Sequence, residues 1–130
     1  MRTEPTFVSV KQVLAIHERM VREFGGDPGL RDRGLLESAV GMPRATFGGE
    51  YVHEDLAAMA AAYLFHICRN HAFVDGNKRT AMAAAEVFFD LNDFALSASD
   101  EDMEHPTRGV ATGEASKAQV AGFFRNAMPR

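Results

Sequence analysis

Cys68 is the chain's one cysteine, so no intramolecular disulfide can form and the fold must rest on packing. At 130 residues a single domain spanning 1–130 can bury a core without such staples. Cys68 lies in an apolar helical stretch and reads as a packed thiol rather than a nucleophile. No hydrophobic run approaches the length of a membrane span, and the start lacks the basic-then-apolar pattern of a secretion signal. The expected address is therefore cytoplasmic, with no membrane partner. Repeats, low-complexity tracts and linkers long enough to split the chain are missing as well. So is an excess of positive charge: 14 Lys and Arg stand against 18 Asp and Glu, a formal net charge of -4. Proteins that grip phosphate backbones usually carry the opposite sign, so direct nucleic-acid binding is not expected. A small basic pocket remains compatible with an acidic total, because a few focused cations set the local field.

The chain does have an ordinary globular composition, 46% hydrophobic and 25% charged, with apolar residues recurring at helical period almost everywhere. From about Val10 to Phe24, the residues Val10, Val13, Leu14, His17, Met20, Val21 and Phe24 share one face. Ser9 is placed to cap that helix and Gly25-Gly26 to stop it. His17, on the apolar face, reads as a buried histidine bonded to backbone rather than a ligand or catalyst. A turn at Asp27-Pro28-Gly29 leads to a short helix from about Asp32 to Val40, then to a glycine- and proline-broken loop reaching Tyr51. An alanine-rich helix from about Glu54 to Asn70 is expected to be the central one, and another runs from about Asn77 to Leu91. Ser99-Asp100-Glu101-Asp102 resembles a helix start, but Pro106 should limit or kink the helix beyond it. Ser116 caps a last helix to about Asn126. The expectation is an all-α bundle of about six helices. Only 93–97 could form a short strand, with the 46–52 loop as its pairing partner.

The chemistry concentrates in His71-Ala72-Phe73-Val74-Asp75-Gly76-Asn77-Lys78-Arg79-Thr80-Ala81, between the two most apolar helices. An imidazole, a carboxylate, a glycine, an amide and two adjacent cations fall within nine positions. Gly76 permits an unusual backbone angle and a close approach. The helix beginning after it presents free N–H groups and the positive end of its dipole, which suits a phosphate. Lys78 and Arg79 oppose that dipole, each by about 0.3–1 kcal/mol if exposed, a conflict that a bound anion removes. Asp75 can coordinate Mg²⁺ together with phosphate oxygens. His71 can serve as a general base, an effect typically worth about 10²–10⁴ in rate. Each group also has a bland role available: His71 as a helix C-cap, Asp75 as an N-cap, the two cations as a solvated turn. Taken together, the set points to phosphate chemistry.

The stretch resembles the Fic motif, in which a histidine, a phenylalanine two residues on and an acid precede Gly-Asn-Gly-Arg. Lys78 replaces the second glycine, and that version resembles the Doc, or "death on curing", branch. The likeness extends to Leu14-Ala15-Ile16-His17, to Phe24-Gly25-Gly26-Asp27-Pro28-Gly29-Leu30, and to Gly109-Val110-Ala111-Thr112-Gly113-Glu114. It implies the compact Fic/Doc helical core with at most a minor β-hairpin. It also implies that His71 deprotonates a target hydroxyl, Asp75 binds Mg²⁺, and Gly76, Asn77, Lys78 and Arg79 hold the phosphates of ATP. Doc-type members are described as kinases of a threonine on elongation factor Tu, restrained by an antitoxin. The expected partners are thus an antitoxin, in an apolar groove beside the first helix, and a translation factor docked near the 46–52 loop.

Two departures from the Fic pattern, Lys78 for glycine and Met82 for a second arginine, weigh against AMP transfer and are shared with Doc. Asp75-Gly76 itself is closer to Fic. No persuasive copy of the Fic family's self-inhibitory Ser/Thr-x-x-x-Glu helix occurs. Adenylyl transfer and a non-catalytic, translation-inhibiting binding protein remain as alternatives. A metal hydrolase is weakly supported, since His66 and His71 are off one helical face and no further ligand cluster accompanies them.

Overall fold

Ser9, Asp32, Asp55, Ser99 and Ser116 each turn a side-chain oxygen onto a backbone N–H three residues ahead, and each thereby starts a helix. These helices are α1 (Val10–Phe24), α2 (Arg33–Gly41), α3 (Leu56–Asn70), α5 (Asp100–Thr112) and α6 (Lys117–Ala127), with α4 (Asn77–Leu91) between α3 and α5. The structure is a computed structural model and describes residues 4–128. Among the described residues it is the expected six-helix, all-α architecture with one small hairpin.

The central helix is α3. It packs against α2, α4, α5 and α6, and alanines at 57, 60, 61 and 62 let those neighbours approach closely. Tyr63, Leu64 and Ile67 on α3 meet Phe88 and Phe89 of α4 and Phe124 of α6 in one buried cluster. The Tyr63 hydroxyl accepts from the Val8 N–H at 2.8 Å and donates to the Val8 carbonyl at 3.1 Å. That pair ties the segment before α1 to the core and satisfies a phenol that would otherwise be buried unpaired. Cys68 is buried among these residues, a packed thiol as expected.

Three expectations need correction. Residues 93–97 form no strand; Ser97 donates its N–H to the Ala127 carbonyl at the end of α6 instead. Among the described residues the one sheet lies within the loop, where β1 (Thr46–Phe47) pairs antiparallel with β2 (Glu50–Tyr51). Gly48 and Gly49, both at positive φ, supply the turn. α5 runs through Pro106, held on both sides of it by buried Met103, Thr107 and Val110. Phe24, expected inward, is 55% exposed. It is the last residue of α1, where the apolar stripe has passed beyond the core, while Ile16 is buried on that helix.

Candidate active site

Residues 71–76 link α3 to α4, the two helices most extensively packed against one another. The loop is held from three directions. From one side, the segment after α1 runs alongside it: Arg31 and Asp32 donate N–H groups to the Ala72 carbonyl at 2.7 and 3.0 Å, and Val74 donates to the Gly29 carbonyl at 3.0 Å. Leu30 and Phe73 thus face each other as an isolated antiparallel bridge. From within, Asn77 is buried, accepting from the Phe73 N–H at 3.1 Å and donating to the Phe73 carbonyl at 2.9 Å. From beneath, buried His17 stacks on the Phe73 ring, with centroids 3.7 Å apart and planes 9° from parallel. Its Nε2 donates to the Asp75 carbonyl at 2.8 Å, and a histidine bonded to backbone is what its place on α1 suggested.

His71 terminates α3 in the left-handed region, φ 49° and ψ 47°, a strained setting for a residue with a Cβ. Its carbonyl accepts from both Nε and Nη2 of Arg31, while the residue itself is exposed. The C-cap role is therefore real. Asp75 is not the N-cap of α4; that position belongs to Gly76, at φ 81°. The Asp75 carboxylate instead accepts from the Asp27 N–H through Oδ2 at 2.8 Å, a charge-assisted bond that fixes its aim. Gly26, at φ 115°, lies close against it: a Cβ there would sit 3.1 Å from the Asp75 Cβ and press on it.

Alone among the six α-helices of the described residues, α4 starts with no side-chain cap. It also carries no acid in its first turn, where Lys78 and Arg79 stand exposed. The free N–H groups and the positive dipole end are therefore open to an outside anion. Arg79 is laid over the exposed Phe24 ring, its Cζ 3.9 Å from the centroid, a cation–π contact worth about 0.5–1 kcal/mol at the surface. Phe24, turned away from the core, thus has a partner within the site. Beyond Arg79 a groove of about 610 Å³ opens between α1, α4 and α5, with Met20, Met82 and Ala83 as its apolar floor and Glu23, Glu86 and Glu104 among its walls.

The structure brings His71, Asp75, Gly76, Lys78 and Arg79 to one end of the α3–α4 pair. Asn77 differs in that its amide is turned inward onto Phe73. A single carboxylate with one oxygen engaged suits Mg²⁺, which binds through one or two carboxylates plus phosphate oxygens rather than an all-protein cage. Arg31 was missed in the sequence, and Asp27 was read as a turn residue and not as a support of Asp75. Their contacts to His71 and Asp75 lie 40 and 48 residues apart, and neither belongs to a local pattern.

The model of the Fic/DOC family matches residues 7–89. The chain belongs to this family. It is 36% identical over 118 residues to the "Protein kinase doc" of Escherichia phage P1, covering 91% of this chain and 92% of that one. It is 45% identical over 106 residues to the "Toxin Doc" of Mycolicibacterium smegmatis, covering 77% of this chain and 82% of that one. The match of the Fic/Doc model runs from before α1 into the last turn of α4, so it includes both the motif loop and the His17 and Asp27 supports beneath and beside it.

Proposed function

We propose that this Fic/Doc protein is the toxin of a toxin–antitoxin pair and transfers the γ-phosphate of ATP to a hydroxyl, a threonine, of a translation factor such as elongation factor Tu. The observation that carries this reading is the uncapped start of α4 at Gly76, flanked by Lys78 and Arg79 and preceded by a fixed Asp75 and an exposed His71. Phosphoryl transfer asks chiefly for positioning and charge neutralisation. The first-turn N–H groups of α4 hold the phosphates, and Arg79 swings from Phe24 to the transferring group. His71 takes the proton of the attacking hydroxyl, which then bonds to phosphorus as ADP leaves. Asp75 would hold Mg²⁺, which neutralises phosphate charge when bound. Asn77 keeps the loop closed. The relatives' names, a protein kinase and a toxin, support the same activity.

The β1–β2 hairpin, with Phe47 85% exposed, is the proposed dock for the protein substrate. The groove beside α1 is the proposed dock for the antitoxin; its mix of methionine and charge suits an amphipathic helix. No helix of the described residues is long and apolar enough to cross a membrane, and the proposed place of action is the cytoplasm.

Inducible expression in cells tests whether chemistry is required. Wild type should arrest growth, and a His71→Ala, Asp75→Ala double variant of equal abundance should not. A folded double variant that still arrests growth would replace the kinase with a binding inhibitor.

A further inference from the structure

Within α1, His17 touches three residues of the motif loop at once. Its ring lies flat on Phe73 at 3.7 Å. Its Nε2–H bonds the Asp75 carbonyl at 2.8 Å. A Cβ on Gly76 would sit 3.5 Å from its Cδ2 and Nε2, so the ring also underlies the residue that opens α4. A carbonyl can only accept, so Nε2 carries the proton. These contacts do more than fill the core, because of their effect on one peptide plane. The Asp75–Gly76 bond is trans, and in a trans peptide the C=O and the following N–H point in opposite directions. With the Asp75 carbonyl drawn inward to His17, the Gly76 N–H is driven outward, beside the free first-turn N–H groups of α4. It finds no acceptor among the described residues.

We propose that His17 is a positioning residue for the anion site: by holding the Asp75 carbonyl inward it aims the Gly76 N–H at the phosphates of the nucleotide. The proposal rests on the phosphate-binding role proposed for the start of α4. A flip of this peptide would turn a carbonyl oxygen toward the phosphates in place of a donor, replacing attraction by repulsion. Gly76, at φ 81°, has the backbone freedom that makes such a flip accessible, so the orientation needs a lock. Packing alone would not require a hydrogen-bond donor at this place; aiming the peptide does.

The test measures the affinity of ATP with Mg²⁺ by calorimetry, and thermal stability in parallel, for wild type, His17→Phe, His17→Gln and Arg79→Ala. Phenylalanine keeps the stack on Phe73 and loses the donor. Glutamine returns a donor at the same number of bonds from the backbone. His17→Phe should fold and bind ATP about tenfold more weakly, the loss of one hydrogen bond to a charged group, and His17→Gln should recover most of it. A folded His17→Phe that binds like wild type, while Arg79→Ala binds poorly, overturns the role of His17 and leaves the site standing. Arg79→Ala binding like wild type, or wild type failing to bind, overturns the site and the inference with it. Should His17→Phe not fold, the amide resonance of Gly76 in wild type decides. A downfield shift as ATP is added supports the proposal, and an unmoved resonance at saturation overturns it.

Discussion

Asn77 closes the motif loop on itself, and the cost of removing it can be stated. Both bonds of its amide go to the backbone of buried Phe73. Asn77→Ala leaves a buried N–H and a buried carbonyl without these partners, at about 1–3 kcal/mol. The expected result is a lower urea midpoint at unchanged slope, with transferase activity falling further than the lost stability explains. An unchanged midpoint would mean that His17 and the 29–32 segment hold the loop unaided. The residues that chemistry singles out, His71, Asp75, Gly76, Lys78 and Arg79, were legible in the sequence because they lie within nine positions and because two cations at a helix start conflict with its dipole. Their supports were not. The Arg31, Asp27 and His17 bonds are long-range contacts involving backbone atoms; that His17 would bond to backbone was legible, but which backbone atom it meets was not. Asn77 was visible as a polar residue at the right place, but its inward turn was not.

At the scale of elements, the caps carried the reading. Ser9, Ser99 and Ser116 each complete a reciprocal box with Gln12, Asp102 and Gln119, so the helix starts lay close to where punctuation put them. The hairpin was harder, since strands of two residues are too short for a period; the Gly48-Gly49 turn is the mark it leaves. Phe24 shows that a helical stripe predicts burial only while the core continues beneath it. Two junctions between elements make stability depend on pH. Where α3 meets α6, Lys117 Nζ donates to His66 Nε2 at 3.1 Å. Burial, then Lys117 and His53, push His66 down to about 4, and burial followed by Lys117 lowers His53. Between the ordinary histidine value and pH 4 the unfolded chain binds more protons, so stability is lost as pH falls through that window. Melting temperature should decline from about pH 6.5 to 4, and less steeply in His66→Gln; parallel curves would contradict this. On α4, burial, then the negative charge of Asp100, raises Glu86 to about 7. The sign is opposite. The protonated carboxyl contributes its stability below about 4.5, and this is lost as pH rises through 7. Glu86→Gln should therefore melt higher than wild type at about pH 8 and show little difference at about pH 4.5. A variant no more stable at the higher pH would place the Glu86 carboxylate in easy reach of water.

The whole molecule is a scaffold for one loop. α3 and α4 form the buried pair that fixes the two ends of residues 71–76, α1 reaches under them with His17, and the turn after α1 runs beside them. The helical architecture was legible because the helical period runs nearly unbroken along the chain. The groove proposed for the antitoxin and the hairpin proposed for the substrate would meet separate molecules, so the chain alone could only suggest them. The proposed γ-phosphate transfer has one rival, the transfer of AMP from the same donor. On the proposed reading, Lys78 in place of glycine weighs for γ-phosphate transfer. The measurement that bears most directly on the central claim compares γ-labelled with α-labelled ATP as donor to purified elongation factor Tu. It is run with Mg²⁺, for wild type and for His71→Ala. Label from the γ-position alone, lost in the variant, is the predicted result; label from the α-position would contradict it and make the protein an AMP transferase.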